Sequence, residues 1–405
     1  MIGSLFAGIS GLNANSTAMT VIGDNIANVN TTAFKSNSSS FANILSQSLS
    51  GSGGNEIGRG VEFWGISPSW SQGSMENTGN ATDMAINGNG FFMLRDSGGS
   101  VYYTRAGEFH FDKNGNLLNN DGLNVQGYSI GSTGTLGTIT SINVPGESTT
   151  PPQATTDFTV DINLDADSAT GDTYSCIQTF YDSLGNDISL TITFTKTANI
   201  REWDWDATIP ASAGNVTAGS GTFTFDPDGS LPNGADPTIT MTLTNGATTP
   251  QTLTWDIYDA GGVTNGDMTQ YAAPSTTTFQ TQNGYPSGVL RSISVDEAGI
   301  VTGAYSNGQL IPLFQVVLAD FPSYYGLSKM GRNLYAESLA SGQAMPGQPG
   351  TGRLGNISPN SIEMSNVDLA QEFVKMITTQ RAFQANSRVI TTSDEILADL
   401  INIKR

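Results

Sequence analysis

Leu369-Ala-Gln-Glu-Phe-Val-Lys-Met376 opens a run in which Leu369, Met376, Phe383, Ile390 and Leu397 recur every seven residues, with Phe373 alongside. A single apolar side chain repeated at that spacing predicts a long helix lying lengthwise on another helix, because it keeps one seam facing the partner. At the other end of the chain, Ile2, Leu5, Ile9, Leu12, Met19 and Ile26 follow three- and four-residue steps. Ser16 and Gly23 interrupt that second stripe, so it is thin and its helix is marginal alone. Stripes at both ends predict terminal helices that pair as a coiled-coil-like stalk. Such a stalk has few other core residues, so it is expected to pack on further copies of the chain. The candidate assembly interface is therefore Leu5, Ile9, Leu12, Met19 and Ile26 with Leu369, Phe373, Met376, Phe383, Ile390 and Leu397.

Between the ends the text is β-like. Residues 31–60 are rich in Ser, Asn and Gly, with a short apolar patch at Phe41, Ile44 and Leu45. This composition predicts a linker that orders only against a partner. Gly88-Asn-Gly90 leads into Phe91-Phe-Met-Leu94, a run suited to a buried strand. Phe109, Phe111 and Leu117 flank Asp112-Lys-Asn-Gly-Asn116, a strong hairpin signal. Alternation such as Leu190-Thr-Ile-Thr-Phe194 and Phe223-Thr-Phe225 predicts short strands of a sandwich or barrel. Strand-like text returns at Val316-Val-Leu318, and a loop at 341–352 precedes the last helix.

The expected architecture is nested and mainly β. Residues 1–60 pair with 353–405 as the helical stalk. Residues 61–145 and 285–352 form a discontinuous β domain above it, and 146–284 form an inserted β-barrel or sandwich outermost.

Composition narrows the function. The 405 residues include 47 Gly, and only 13% are charged, which suits a turn-rich surface polymer. The net charge of -20 argues against nucleic-acid binding, which needs a basic face. Residues 146–284 hold seventeen acids against Lys196 and Arg201, a net of -15, so the insertion carries most of the excess. No cleavable signal is visible, since the first basic residue is Lys35, and no apolar run approaches the ~18 residues of a membrane span. Secretion would need a route that reads no such signal.

No catalytic constellation emerges. Gly127-Tyr-Ser-Ile-Gly131 fits a nucleophile elbow, but His110, the only histidine, precedes the serine and no helix signal follows. Asp165-Ala-Asp167 and Asp226-Pro-Asp-Gly229 lack the spacing of calcium loops. Cys176 stands alone, so an internal disulfide is excluded and a buried apolar role is expected. The chain reads as a non-enzyme without metal or cofactor.

Several motifs, in order, resemble the rod and hook family of axial proteins of the bacterial flagellum. Ser4-Leu-Phe-Ala-Gly-Ile-Ser-Gly-Leu12 and Asp24-Asn-Ile-Ala-Asn-Val-Asn-Thr-Thr-Ala-Phe-Lys35 resemble its N-terminal signature. Gly79-Asn-Ala-Thr-Asp-Met-Ala-Ile-Asn-Gly-Asn-Gly-Phe-Phe92 and Tyr103-Thr-Arg-Ala-Gly-Glu-Phe109 resemble its β motifs, and Ser365-Asn-Val-Asp-Leu-Ala-Gln371 with Gln380-Arg-Ala-Phe-Gln-Ala-Asn386 its tail. The long insertion, and Tyr181-Asp-Ser-Leu-Gly-Asn186 within it, resemble hook rather than rod members. The resemblance implies a structural subunit that polymerises with itself into a curved, hollow, flexible tube carrying torque from rod to filament. It also implies an extracellular place in the flagellum, export through the flagellar type III apparatus, and contacts with rod, hook-cap and hook-filament junction proteins. A rod-type protein with an insertion, a junction protein and a secreted adhesin are the alternative readings.

Overall fold

The computed structural model describes residues 2–44, 47–48, 56–131, 134–146 and 148–403. Among the described residues there are two α-helices and many short strands: helix α1 spans Ile2–Ala27 and helix α2 spans Leu369–Ile403. The start of α2 is set by Asp368, whose Oδ1 accepts the amides of Ala370 at 2.9 Å and Gln371 at 3.2 Å. Those donors have no partner inside the helix, so a side-chain acceptor there fixes where it begins. The fold is mainly β with paired terminal helices.

Two units divide the chain. The first comprises Met1–Gly146, Ile293–Gly303 and Ile311–Arg405; the second comprises Glu147–Ser292 and Ala304–Leu310.

In the first unit, strand Phe91–Arg95 pairs antiparallel with Val101–Thr104, Asn124–Ile130 and Leu318–Asp320. Phe91, Phe92 and Leu94 are fully buried, as the apolar run predicts. An aromatic cluster fills the space under this sheet. Trp70 lies edge-on to Phe91 at 5.5 Å, and Phe321 packs against Phe91 at 5.9 Å and Tyr103 at 4.8 Å. The 341–352 segment is not wholly loop, because Met345–Gly347 pairs with Leu318–Asp320.

The expected linker is instead a hairpin. Asn37–Asn43 pairs antiparallel with Val61–Pro68, and Phe41 meets Phe63 edge-on at 6.2 Å. Asn25 on α1 ties it down, donating from Nδ2 to Asn37 O and accepting the Asn37 amide, both at 2.8 Å. Serine-rich text hid the ladder because small polar residues carry no alternation. Leu45, from the predicted patch, lies outside the described residues.

The second unit resolves the choice between barrel and sandwich. Thr173–Tyr181, Asp187–Lys196, Glu202–Thr208 and Ser220–Thr224 form one sheet. Asp157–Asn163 anchors the other, flanked by Gln251–Trp255, Met268–Thr269 and Thr276–Gln282. Among the described residues the two sheets do not close into a barrel; they share one core. Phe158 and Trp255 from one sheet pack with Phe194, Trp205 and Phe223 from the other. Strict alternation makes this possible, since every second side chain points inward. Cys176 faces the same core, and burial pushes its pKa up to about 11, so the thiol stays protonated near neutrality.

One turn device recurs through both units. At Asp96, Asp112, Asn119, Asp182, Asp259 and Asp296 the side-chain oxygen accepts the amide four residues on, at 2.8 to 2.9 Å. The glycine three residues on takes positive φ in each, a conformation costly for other side chains.

Asp182 is the most elaborate case. Its Oδ1 accepts the amides of Leu184 at 2.8 Å and Asn186 at 2.9 Å, and its Oδ2 accepts Nδ2 of Asn186 at 2.9 Å and of Asn245 at 2.5 Å. Burial alone would raise its pKa, but these donors outweigh it and hold the carboxyl below its ordinary range. A native pKa below the unfolded value contributes stability above the unfolded value, near 3.9, and loses it as pH falls through the native one. Asp182→Asn would turn Oδ2 into a donor facing two donors. It should destabilise the second unit by about 2–3 kcal/mol at pH 7. Denaturant melts of wild type and variant should converge under acid; a constant gap down to pH 2 would refute the assignment.

Candidate assembly surface

The two helices pack antiparallel along their length. Ser4 and Ser393 hydroxyls lie 3.3 Å apart, and Asn25 Nδ2 donates to Glu372 Oε2 at 3.2 Å. Between these contacts, Gly8 sits against Ile390 and Gly11 against Asn386. Lys375 donates to Glu372 Oε1 at 2.6 Å.

The seam on α1 is built from small residues. Gly8, Gly11, Ala14, Ala18, Ile22 and Asn25 are buried at three- and four-residue steps. A Cβ built on Gly11 would lie 2.7 Å from the Asn386 side chain, so glycine lets the helix backbones approach closely. Counting large apolar residues cannot find such a seam. The signal that could have found it is the repeat of Gly and Ala at helical spacing.

The predicted stripes flank this seam or share it. On α1, Leu5, Leu12, Met19 and Ile26 are half-buried and Ile9 is exposed, one position round from the small residues. On α2, Met376, Ile390 and Leu397 are half-buried on the face that carries Glu372, Asn386 and Ser393. Leu369, Phe373 and Phe383 are exposed, and Val374 and Ile377 with them. The single chain thus brings Ile390 onto Gly8 but leaves Leu369, Phe373 and Phe383 open. Phe6 is also exposed on α1. Leu369, Phe373 and Ile377 follow four-residue steps, so their open side chains line one face of α2.

The enzyme-like motif dissolves into the fold. Gly127 to Ile130 lie within strand Asn124–Ile130, with no strand-to-helix turn at Ser129. His110 is exposed on strand Phe109–Phe111. Among the described residues no helix is long and apolar enough to cross a membrane.

Four families match successive parts of the chain. Residues 5–35 match the family described as flagella basal body rod protein, and 85–164 match the flagellar hook protein FlgE/F/G D1 domain. Residues 153–285 match the flagellar basal body protein FlaE D2 domain, and 358–403 the flagellar basal body rod FlgEFG protein C-terminal family. Over 98% of both chains, the sequence is 37% identical to flagellar hook protein FlgE of Salmonella typhimurium. The chain belongs to the flagellar hook protein FlgE family. The FlgE of Borreliella burgdorferi is 34% identical over the full length of both chains, and that of Escherichia coli is 36% identical over 98% of each. The crystal structure of Helicobacter pylori flagellar hook protein FlgE2 has the same fold, with a TM-score of 0.53 over 71% of this chain and all of that one, at 15% identity.

As a hook protein of the FlgE family, the molecule is a structural, motility-related subunit of the flagellar hook of the basal body. The terminal matches fall on α1 and α2, and the D2 match falls within the sandwich-forming part of the chain.

Proposed function

We propose that the open apolar strip beside the α1–α2 seam is the surface through which hook subunits polymerise. The observation that carries this is the division of labour on the helices. Small residues and Ile390 hold the intrachain pair, leaving Ile9 on α1 and Leu369, Phe373 and Phe383 on α2 open for the lattice, with the free edges of half-buried Leu5, Leu12, Met19, Ile26, Met376 and Leu397 completing the strip. A contact of this kind made head to tail does not close on itself, so it generates a helical tube. A fully exposed side chain buried on assembly would contribute about 1.5–3 kcal/mol and a half-buried one correspondingly less, and the sum offsets the ordering of the contact.

The tube is the curved, hollow joint between rod and filament, outside the cell. Its neighbours are the rod, the hook cap and the hook-filament junction proteins, and its subunits leave through the flagellar type III apparatus. Leaving as an unfolded thread suits a sequence whose single cysteine can form no internal disulfide. The acidic sandwich supplies weak, solvated contacts that exchange as the tube bends. The role is structural throughout, with no catalysis.

Electron microscopy of the full chain under salting-out conditions tests the reading. Curved hollow tubes are the expected result. Straight tubes would overturn the curved joint, and no tubes from an intact chain would overturn polymerisation through this strip.

A further inference from the structure

Three charged side chains are buried where the helices meet the β body of the first unit. Lys35 follows α1, Arg105 follows strand Val101–Thr104, and Glu363 precedes α2. Glu363 is fully buried, and its Oε1 accepts from Lys35 Nζ at 2.6 Å and from the Gly73 amide at 2.9 Å. Its Oε2 accepts from Arg105 Nη1 at 3.2 Å. Lys35 also donates to Ser71 O at 2.8 Å, and Arg105 donates to Gly90 O at 3.0 Å and to Gly88 O. The Arg105 guanidinium lies over the Phe91 ring, 5.7 Å from its centre. The backbone closes on the same point, with the Ala33 amide donating to Glu363 O at 2.7 Å.

One carboxylate thus serves two cations drawn from distant parts of the chain. Without it, both cations would be buried with carbonyl oxygens as their only acceptors, and a buried cation without a counter-charge is strongly disfavoured. An apolar plug would fill the space but would tolerate near-miss docking. A carboxylate held by three donors does not.

We infer that Glu363 is a closing latch: it locks the roots of α1 and α2 to the β body only when the C-terminal strand Ser361–Glu363 has docked. The latch fixes how the helix pair leaves the body, and so whether the assembly strip is correctly presented. Only its assembly readout rests on the hook reading.

The test uses full-length chain with Glu363→Gln, Glu363→Ala and Glu363→Leu. Glu363→Gln keeps the size and removes the charge. It should lower the melting midpoint of the first unit by about 10 °C. Hydrogen exchange should rise together at Ala33, Gly73 and the first turn of α2, and the critical concentration for tubes should rise about tenfold. Added acetate should restore melting and exchange in Glu363→Ala, because the anion fits between the two cations, but not in Glu363→Leu. If Glu363→Ala folds only in acetate, that is the same result in stronger form. Wild-type melting and exchange in Glu363→Gln, or no acetate rescue of Glu363→Ala, would overturn the latch. A wild-type chain that forms no tubes while the acetate rescue holds would overturn the hook reading instead.

Discussion

Phe383→Asp is expected to give a folded, soluble chain that forms no tubes. Phe383 is 39% exposed in the single chain, so the substitution disturbs little of the intrachain core. On the proposed surface the effect lies at the contact between copies, where each Asp would be buried without a partner. Such burial costs on the order of 4 kcal/mol or more per contact, a rise of about a thousandfold in the concentration needed to polymerise. Leu12→Asp on α1 should behave alike in assembly, with some loss of monomer stability because Leu12 is already half-buried. Sedimentation and electron microscopy read the outcome directly. Normal tubes from Phe383→Asp, with a monomer that melts as wild type does, would remove this face from the assembly surface.

Gly8→Leu combined with Gly11→Leu should separate the helices within one chain. At Gly8 a Cβ would lie 3.0 Å from Ile390 Cγ1, and at Gly11 it would lie 2.7 Å from Asn386 Nδ2. A methyl could push one side chain aside; an isobutyl group at both sites cannot be absorbed without moving α2. Overpacking of this kind costs about 1–3 kcal/mol per site, and helices of marginal intrinsic stability have little reserve. Exchange of both helices should approach that of a free peptide, and assembly should fail with it. Gly23→Ala provides the contrast, since a Cβ there would meet nothing within 4 Å beyond its own stretch of helix. There the loss of backbone freedom should stabilise α1 by about 1 kcal/mol. A double variant whose helices stay protected would show that the seam is not where Gly8 and Gly11 place it.

Much of the fold was legible because periodicity survives without context. The heptad on α2, the Phe91–Leu94 run and the alternating strands of the sandwich each announced their element. The hairpin at Asn37–Asn43 and Val61–Pro68 did not, because its serines read as flexible and its partners are set by tertiary contact with Asn25. The intrachain seam escaped for a related reason: Gly8, Gly11 and Ala18 contribute by being absent as side chains. Lys35, Arg105 and Glu363 escaped too, since sparse charges default to the surface in any sequence reading. Lys35 and Arg105 stood inside quoted motifs, yet nothing in the motifs says that they meet one carboxylate near the end of the chain.

The six Asp and Asn turns bear on how fast this chain can become itself. Five close a hairpin between strands that are neighbours in sequence, and the Asp259 turn closes the single bridge from Tyr258 to Thr264; in all six little loop entropy is lost, and hairpins of this kind form in microseconds. An extended chain can therefore complete those ladders locally and early. What remains is the longest search in the molecule, the meeting of Ser4 with Ser393 and of Lys35 with Glu363. The expected order of folding is hairpins first and ends last, with the closure of the two termini as the step that carries the largest loop entropy.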